Sequence, residues 1–383
     1  MRKYLVLIII VTLFLTASCA GGRPDISQSE EPQDGEEMVY EPTQEEIEAL
    51  FIEALIDGMS LKEQVAQLFI ISFGTEFTGA GGYILFSENI TTVEATKALT
   101  GAASASSKIP PFICIDEEGG VVSRLSAANL PGYAAQPSAK KIGATGNAQN
   151  AYIAGVAIGR ALFDIGVNVD FAPVADVLTN SRNTVIGSRA YGTDPEIVSE
   201  MASSFQEGLH ACGIMSAPKH FPGHGGTTAD SHTGPATSER SPEQLAAVEY
   251  IPFVRLIGEG AEFIMTGHII VSGTEPDGLP ATLSGYFMMD VLRGELGFDG
   301  IIVTDAMNMG AIKNKYTSGE AAVMAIRAGV DMILLPDDHD DAVKGILQAV
   351  DDGSISKERI RESLTRILRG KLAAGLISER QNR

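Results

Sequence analysis

The chain has 383 residues, 44% of them hydrophobic and 20% charged, which is ample apolar material for a large core and rules out a disordered polypeptide. Its 49 acidic residues exceed the 28 basic ones by 21, and no Lys/Arg-rich stripe offsets them, so the composition argues against nucleic acid as a partner. Three scattered cysteines, Cys19, Cys114 and Cys212, supply neither a disulfide framework nor a Cys-x-x-Cys metal site, and no cofactor is expected.

Residues 1–19 combine Arg2 and Lys3 with an uncharged run from Tyr4 to Ser18, almost wholly apolar from Leu5 to Leu15. That run is shorter than the ~20 residues that cross a bilayer and closes on Thr16, Ala17 and Ser18, so it reads as a secretory signal peptide rather than a spanning helix. The stretch Leu15-Thr16-Ala17-Ser18-Cys19 resembles a bacterial lipobox. The resemblance implies lipidation of Cys19 and a chain anchored to the cell membrane on its extracytoplasmic side. The usual Leu three positions before the cysteine is Thr16 here, and plain secretion is the alternative. Residues 20–42 read as an acidic tether: from Pro24 to Glu53 there are eleven Asp or Glu and no Lys or Arg, about half of the net charge of -21. Such a segment stays solvated and self-repels.

The folded domain is expected over residues 43–383. Thr43-Gln44-Glu45-Glu46 has capping-box spacing and leads into Ile47, Leu50, Phe51, Ala54 and Leu55, an amphipathic helix stopped by Gly58; Ser60-Leu61-Lys62-Glu63 caps a second, short helix. Eight strands follow at Gln67 to Phe73, Gly82 to Phe86, Phe112 to Asp116, Val167 to Phe171, Ile214 to Ala217, Glu262 to Met265, Gly300 to Thr304 and Asp331 to Leu335. Between several of them the sequence reads as helix: Val93 to Ala105, Asn147 to Asp164, Pro195 to Cys212, Pro242 to Glu259 and Ser318 to Ala328, with a last helix over roughly Lys357 to Ala374. Continuous apolar strands separated by helical crossovers suggest an α/β fold, a (β/α)8 TIM-type barrel forming a single catalytic domain; an open doubly wound sheet gives the same local signals. The polar residues favour the barrel, because they cluster at strand ends: Asp116, Lys219-His220, Thr266-Gly267-His268 and Asp305 follow the third, fifth, sixth and seventh strands.

Lys219 to Pro235 is the densest stretch, with His220, His224 and His232 inside thirteen residues. Its glycines and prolines make a shaped loop, so His220 and His224 are not a helical metal pair, and no metal site is expected. Asp230 stands close enough to His232 to orient the imidazole and raise its pKa toward the range of a general acid or base. Asp305 is delivered to the rim by Ile301, Ile302 and Val303, as a nucleophile is held; the alternative is an N-cap for the next helix. A carboxylate nucleophile with a separate proton donor is the arrangement of retaining glycoside hydrolysis. Asp116, Arg124 and Arg189 would then contact hydroxyls, or form surface ion pairs of little worth.

These residues carry a resemblance to glycoside hydrolase family 3, specifically its single-domain β-N-acetylglucosaminidases, over about residues 45 to 375. The motif is Lys219-His220-Phe221-Pro222-Gly223-His224-Gly225 followed by Asp230-Ser231-His232. The resemblance implies that Asp305 is the nucleophile and His232 the acid/base assisted by Asp230, with Asp116, Arg124, Arg189, Lys219 and His220 binding the sugar in the first subsite. It further implies a carbohydrate with terminal β-N-acetylglucosamine, from peptidoglycan fragments or chitooligosaccharides, as substrate. In Asp116-Glu117-Glu118-Gly119-Gly120-Val121-Val122-Ser123-Arg124 the family's usual Gln and first Arg are replaced by Glu117 and Val121, while Arg124 keeps its place. The departure leaves contacts beyond the first subsite open. A phosphorylase using phosphate as acceptor and a non-catalytic sugar-binding lipoprotein are the alternatives, and a monomer is the expected assembly.

Overall fold

A computed structural model describes residues 42–74, 77–227, 236–274 and 278–378. Residues from Gln44 onward form one compact unit. The expected signal peptide, Cys19 with its expected lipidation, and the expected acidic tether up to Glu41 lie outside the described residues.

The first helix, Gln44–Asp57, turns Ile52 and Ile56 into the core and its acidic side toward the last helix, Lys357–Ala373, where Arg361 pairs with Glu53 and, at 2.7 Å, with Asp57. The second helix, Leu61–Ala66, is closed by the anticipated capping box. The Glu63 amide donates to Ser60 Oγ at 3.3 Å, and the Ser60 amide donates to the Glu63 carboxylate at 2.8 Å.

All eight strands form, seven of them shorter than expected and the sixth shifted by one residue: Phe69–Ser72, Gly82–Leu85, Phe112–Ile115, Val169–Asp170, Met215–Ser216, Phe263–Thr266, Ile301–Thr304 and Ile333–Leu334. Each pairs in parallel with its neighbours. Ile70 stands opposite Gly82 in the second strand and Leu334 in the eighth, and single bridges from Val174 to Lys219 and from Val303 to Met332 complete the ring. The fifth strand continues past Ala217 as Lys219–Phe221, which pairs with the sixth. Pro218 has no N–H to give the ladder, and its place is where the strand divides. The barrel is of the (β/α)8 type, although the crossover from the first strand to the second carries no helix among its described residues.

Two helical expectations need correction. Pro242 to Glu259 is not one helix but two, Pro242–Ala247 and Tyr250–Gly258, with Val248 at φ -135 between them. Pro252 explains the break: its ring would collide with the carbonyl four residues back, that of Val248, and it has no N–H to offer it. A helix at His339–Asp351, capped by Asp338 and burying Ala342, Ile346, Ala349 and Val350, follows the eighth strand where no helix was anticipated.

The floor of the barrel buries a cation. Lys371 is fully buried on the last helix, donating to Gln67 Oε1 at 2.6 Å and lying 5.2 Å over the Phe112 ring, and burial pushes its ammonium down to about 7. An unfolded lysine titrates near 10.4, so between about pH 7 and 10 the unfolded chain binds more protons than the folded one and stability rises with pH. Lys371→Met is expected to flatten that rise and to add roughly 3 kcal/mol at pH 6, once the lost bond to Gln67 is set against the relieved burial of charge. Urea unfolding at pH 6 and pH 9 checks both; a flat wild-type profile would mean that the amine stays charged in the fold.

Candidate active site

The catalytic ends of the strands converge on a cleft of about 640 Å³, within the usual range for small-molecule sites. Asp116, Arg124, Arg189, Lys219, His220 and Asp305 all line it. The sequence separates these residues by up to 189 positions; strand order brings them to one rim.

Asp116 follows the third strand directly, and the chain then folds into a small antiparallel hairpin, Glu117–Gly119 against Val122–Ser123. The turn requires its glycines: Gly119 and Gly120 have φ of 77 and 60, and a Cβ on Gly120 would sit 2.5 Å from Ser138 Cβ. The hairpin delivers Arg124 to within 3.3 Å of Asp116 Oδ2. Lys219, 2% exposed, bridges Asp116 Oδ1 at 2.8 Å and Glu118 Oε1 at 2.7 Å. Glu118 also takes a two-pronged bond from Arg189, whose Nε and Nη2 each stand 2.8 Å from one of its oxygens. The Arg189 Nη2 atom reaches on to His220 Nε2 at 3.2 Å, and His220 Nδ1 lies 2.7 Å from Asp176 Oδ2.

Charge holds this wall together. Burial alone would raise the Glu118 carboxyl, but the Arg189 and Lys219 cations outweigh it and keep the group well below the usual range. Lys219 is displaced upward for the reciprocal reason: burial disfavours its charge, and Asp116 and Glu118 more than restore it. With every donor of the wall pinned by a carboxylate, the cleft offers a pre-oriented set of charged groups at hydroxyl-binding distance from one another.

Asp305 stands across the rim at the end of the seventh strand. Its amide donates to the Thr266 carbonyl at 2.9 Å, and Oδ1 accepts from the Ala306 amide at 2.7 Å. Burial would raise its pKa, yet His220 and His268 when protonated, the Ala306 amide and the Lys219 cation work to hold it below the ordinary carboxylate value. It is an ionised carboxylate, largely buried, on the lining of the cleft. No helix begins at Asp305, so the N-cap alternative is not realised; the next helix, Gly310–Lys313, starts after Met309. His268 is buried behind it, Nε2 lying 3.1 Å from the Ala306 carbonyl, which can only accept. It steadies the peptide that follows the carboxylate.

Asp230 and His232 lie outside the described residues. On either side of that segment, Thr227 is fully buried with Oγ1 2.9 Å from His224 Nδ1, and Ala236–Ser238 pairs in parallel with Ile269–Val271 beyond the sixth strand. Of the two departures in the third-strand motif, Glu117 is fully buried away from the cleft, accepting from the Leu125 amide at 2.9 Å and the Tyr133 hydroxyl at 3.1 Å. It braces the hairpin. Val121 is 75% exposed on the cleft wall, where an arginine would have added a charge.

Glu118 in the wall and Asp176 behind it went unassigned in the sequence. Glu118 stands inside the quoted motif, and Asp176 follows the fourth strand through Phe171-Ala172-Pro173-Val174-Ala175. The rule that singled out carboxylates after the third and seventh strands applies to it equally. Among the described residues no group of three His, Cys, Asp or Glu is placed to hold a metal ion.

Known proteins share this chain's fold and sequence. A solved family 3 β-N-acetylglucosaminidase from Paenibacillus sp. str. FPU-7 superimposes with a TM-score of 0.79 at 37% identity, over 83% of this chain and 63% of that one. Beta-hexosaminidase A of Pseudoalteromonas piscicida is 34% identical over 319 residues, 76% of this chain, which spans only 53% of that relative. The beta-hexosaminidase of Alkalilimnicola ehrlichii is 36% identical over 278 residues, 71% of this chain and 78% of its own length. The glycosyl hydrolase family 3 N-terminal domain matches residues 71–370, which hold the whole barrel from Ile71 onward and the cleft, and the chain therefore belongs to glycoside hydrolase family 3.

Proposed function

We infer that the protein is a retaining exo-β-N-acetylglucosaminidase. The observation that carries the reading is Asp305: an ionised carboxylate at a strand end, facing a wall of charged groups suited to sugar hydroxyls. In this mechanism Asp305 attacks the anomeric carbon while His232, oriented by Asp230, protonates the leaving oxygen, giving a glycosyl ester on Asp305. Water then enters, His232 takes its proton, and the sugar leaves with its configuration retained. Asp116 accepts hydrogen bonds from ring hydroxyls, and Arg124, Arg189 and Lys219 donate them. The N-acetyl specificity follows the printed names of the relatives. Peptidoglycan fragments and chitooligosaccharides are the proposed substrates. They match a chain exported by residues 1–19 and held at the cell membrane through Cys19, acting as a monomer.

The test is release of 4-nitrophenol from its β-N-acetylglucosaminide and from its β-glucoside by the chain from Glu41 onward. Release from the N-acetyl compound alone is expected. His232→Ala should cost roughly 10²–10⁴-fold in kcat/KM, which reports the first step, on a natural disaccharide whose leaving group needs a proton, and far less on the aryl glycoside, whose leaving group does not. Release from neither substrate, with N-acetylglucosamine still bound, would leave a sugar-binding protein.

A further inference from the structure

Behind the cleft wall, Asp176 is fully buried and contacts one short turn three times. Its Oδ2 lies 2.7 Å from His220 Nδ1, and its Oδ1 accepts from the amides of His224 at 2.6 Å and His220 at 3.3 Å. The fourth strand positions it: Val174 bridges Lys219, and the Ala175 amide donates to the Lys219 carbonyl at 2.7 Å.

The two ends of the His220 ring constrain its proton. A carboxylate can only accept, so Nδ1 carries a hydrogen. A guanidinium can only donate, so Nε2, 3.2 Å from Arg189 Nη2, must present its lone pair. We propose that Asp176 is a positioning residue that locks His220 in the neutral Nδ1–H tautomer, leaving Nε2 in the cleft wall as a hydrogen-bond acceptor among side chains that otherwise donate or carry charge. Its consequence for turnover rests on the hydrolase reading; the tautomer itself does not. In the occupied site Nε2 then takes a hydrogen from a substrate hydroxyl or shares the one given by Arg189.

Asp176→Asn tests this with nearly no change of shape. Two amides converge on the Oδ1 position, so the asparagine oxygen must take that place and its NH₂ must face His220 Nδ1. Nδ1 is then forced to accept, the proton moves to Nε2, and a donor confronts the donor of Arg189. Long-range ¹H–¹⁵N spectra of the histidine-labelled chain, with His220 assigned by His220→Gln, are expected to show a protonated Nδ1 and bare Nε2 in the wild type, inverted in Asp176→Asn. kcat/KM should fall about 10–100-fold, the scale on which activity falls when the partner that orients a metal-ligating histidine is lost.

A wild-type His220 protonated on Nε2, alone or with Nδ1, overturns the proposal; so does a folded Asp176→Asn variant with undiminished kcat/KM. If Asp176→Asn does not fold, the wild-type spectrum still decides. An inactive wild type with the Nδ1–H tautomer would sink the hydrolase reading and leave this one standing.

Discussion

Asp305→Ala is expected to lower kcat by a factor on the order of 10⁴–10⁶, the scale on which covalent catalysis is lost when its nucleophile is removed. KM should change little, because the wall proposed to grip the sugar, from Arg124 through Asp116 and Lys219 to Glu118 and Arg189, contains no bond to Asp305. Asp116→Ala supplies the contrast: it removes an acceptor and frees two cations, so KM should rise with a smaller loss in kcat. Shortening residue 305 also opens a space beside the anomeric carbon that a small external anion can enter. Azide should partly restore turnover in Asp305→Ala and give the glycosyl azide of inverted configuration, since it attacks from the face that the carboxylate used. The lowered pKa of Asp305 adds a pH expectation: its carboxylate is ionised throughout the neutral range, so any loss of rate between pH 5 and 7 reports another group. A variant retaining more than about a tenth of wild-type kcat would remove Asp305 from the chemistry.

The eight strands were legible because most lie in continuous apolar runs buried on both faces, which leaves a signal of composition rather than alternation. The caps were legible because they are local: Ser60 and Glu63 are three residues apart. The cleft was legible only as far as strand ends betray it. Lys219 and Asp116 are 103 residues apart and Arg189 and Glu118 are 71 apart, and no spacing rule foretells that they meet, or that Lys219 would serve two carboxylates at once. Asp176 was lost for the same reason, since its partners lie 44 and 48 residues on. The missed helix at His339–Asp351 did carry local signals: Asp338 as cap, Asp340 and Asp341 in the first turn, and Ala342, Ile346 and Ala349 on one face. The broken helix at Val248 carried one too, in Pro252.

At the opposite end of the barrel from Asp305, Asp331→Ala should cost about 3–5 kcal/mol of stability, a large part of the 5–15 kcal/mol that a domain commonly has. Asp331 is fully buried just before the eighth strand, and three separate elements meet on its carboxylate. From the helical segment after the sixth strand, Arg293 Nη2 reaches Oδ2 at 2.5 Å; from the start of the seventh strand, the Ile302 amide donates to the same oxygen at 3.0 Å. From the last helix, Ser363 Oγ donates to Oδ1 at 2.7 Å, with Arg366 at 3.4 Å and Arg359 at 3.6 Å. Alanine would leave a buried amide and hydroxyl without their acceptor and three guanidinium groups facing one another in a poorly hydrated space. Asp331→Asn keeps the volume and one acceptor, so it should cost less than alanine yet more than a surface change. Urea unfolding measures the difference, and kcat at low temperature separates it from catalysis: the residue is remote from the cleft, so the molecules that remain folded should turn over within about twofold of wild type. If Asp331→Ala unfolds at the wild-type urea concentration, the three arginines are held by solvent and their other partners, and the seam between the seventh and eighth strands owes its closure to its backbone hydrogen bonds and apolar packing. If it loses stability and activity in proportion to the unfolded fraction, the two poles of the barrel divide their labour, with cations gathered on a carboxylate at one end to hold the ring and at the other to grip a sugar.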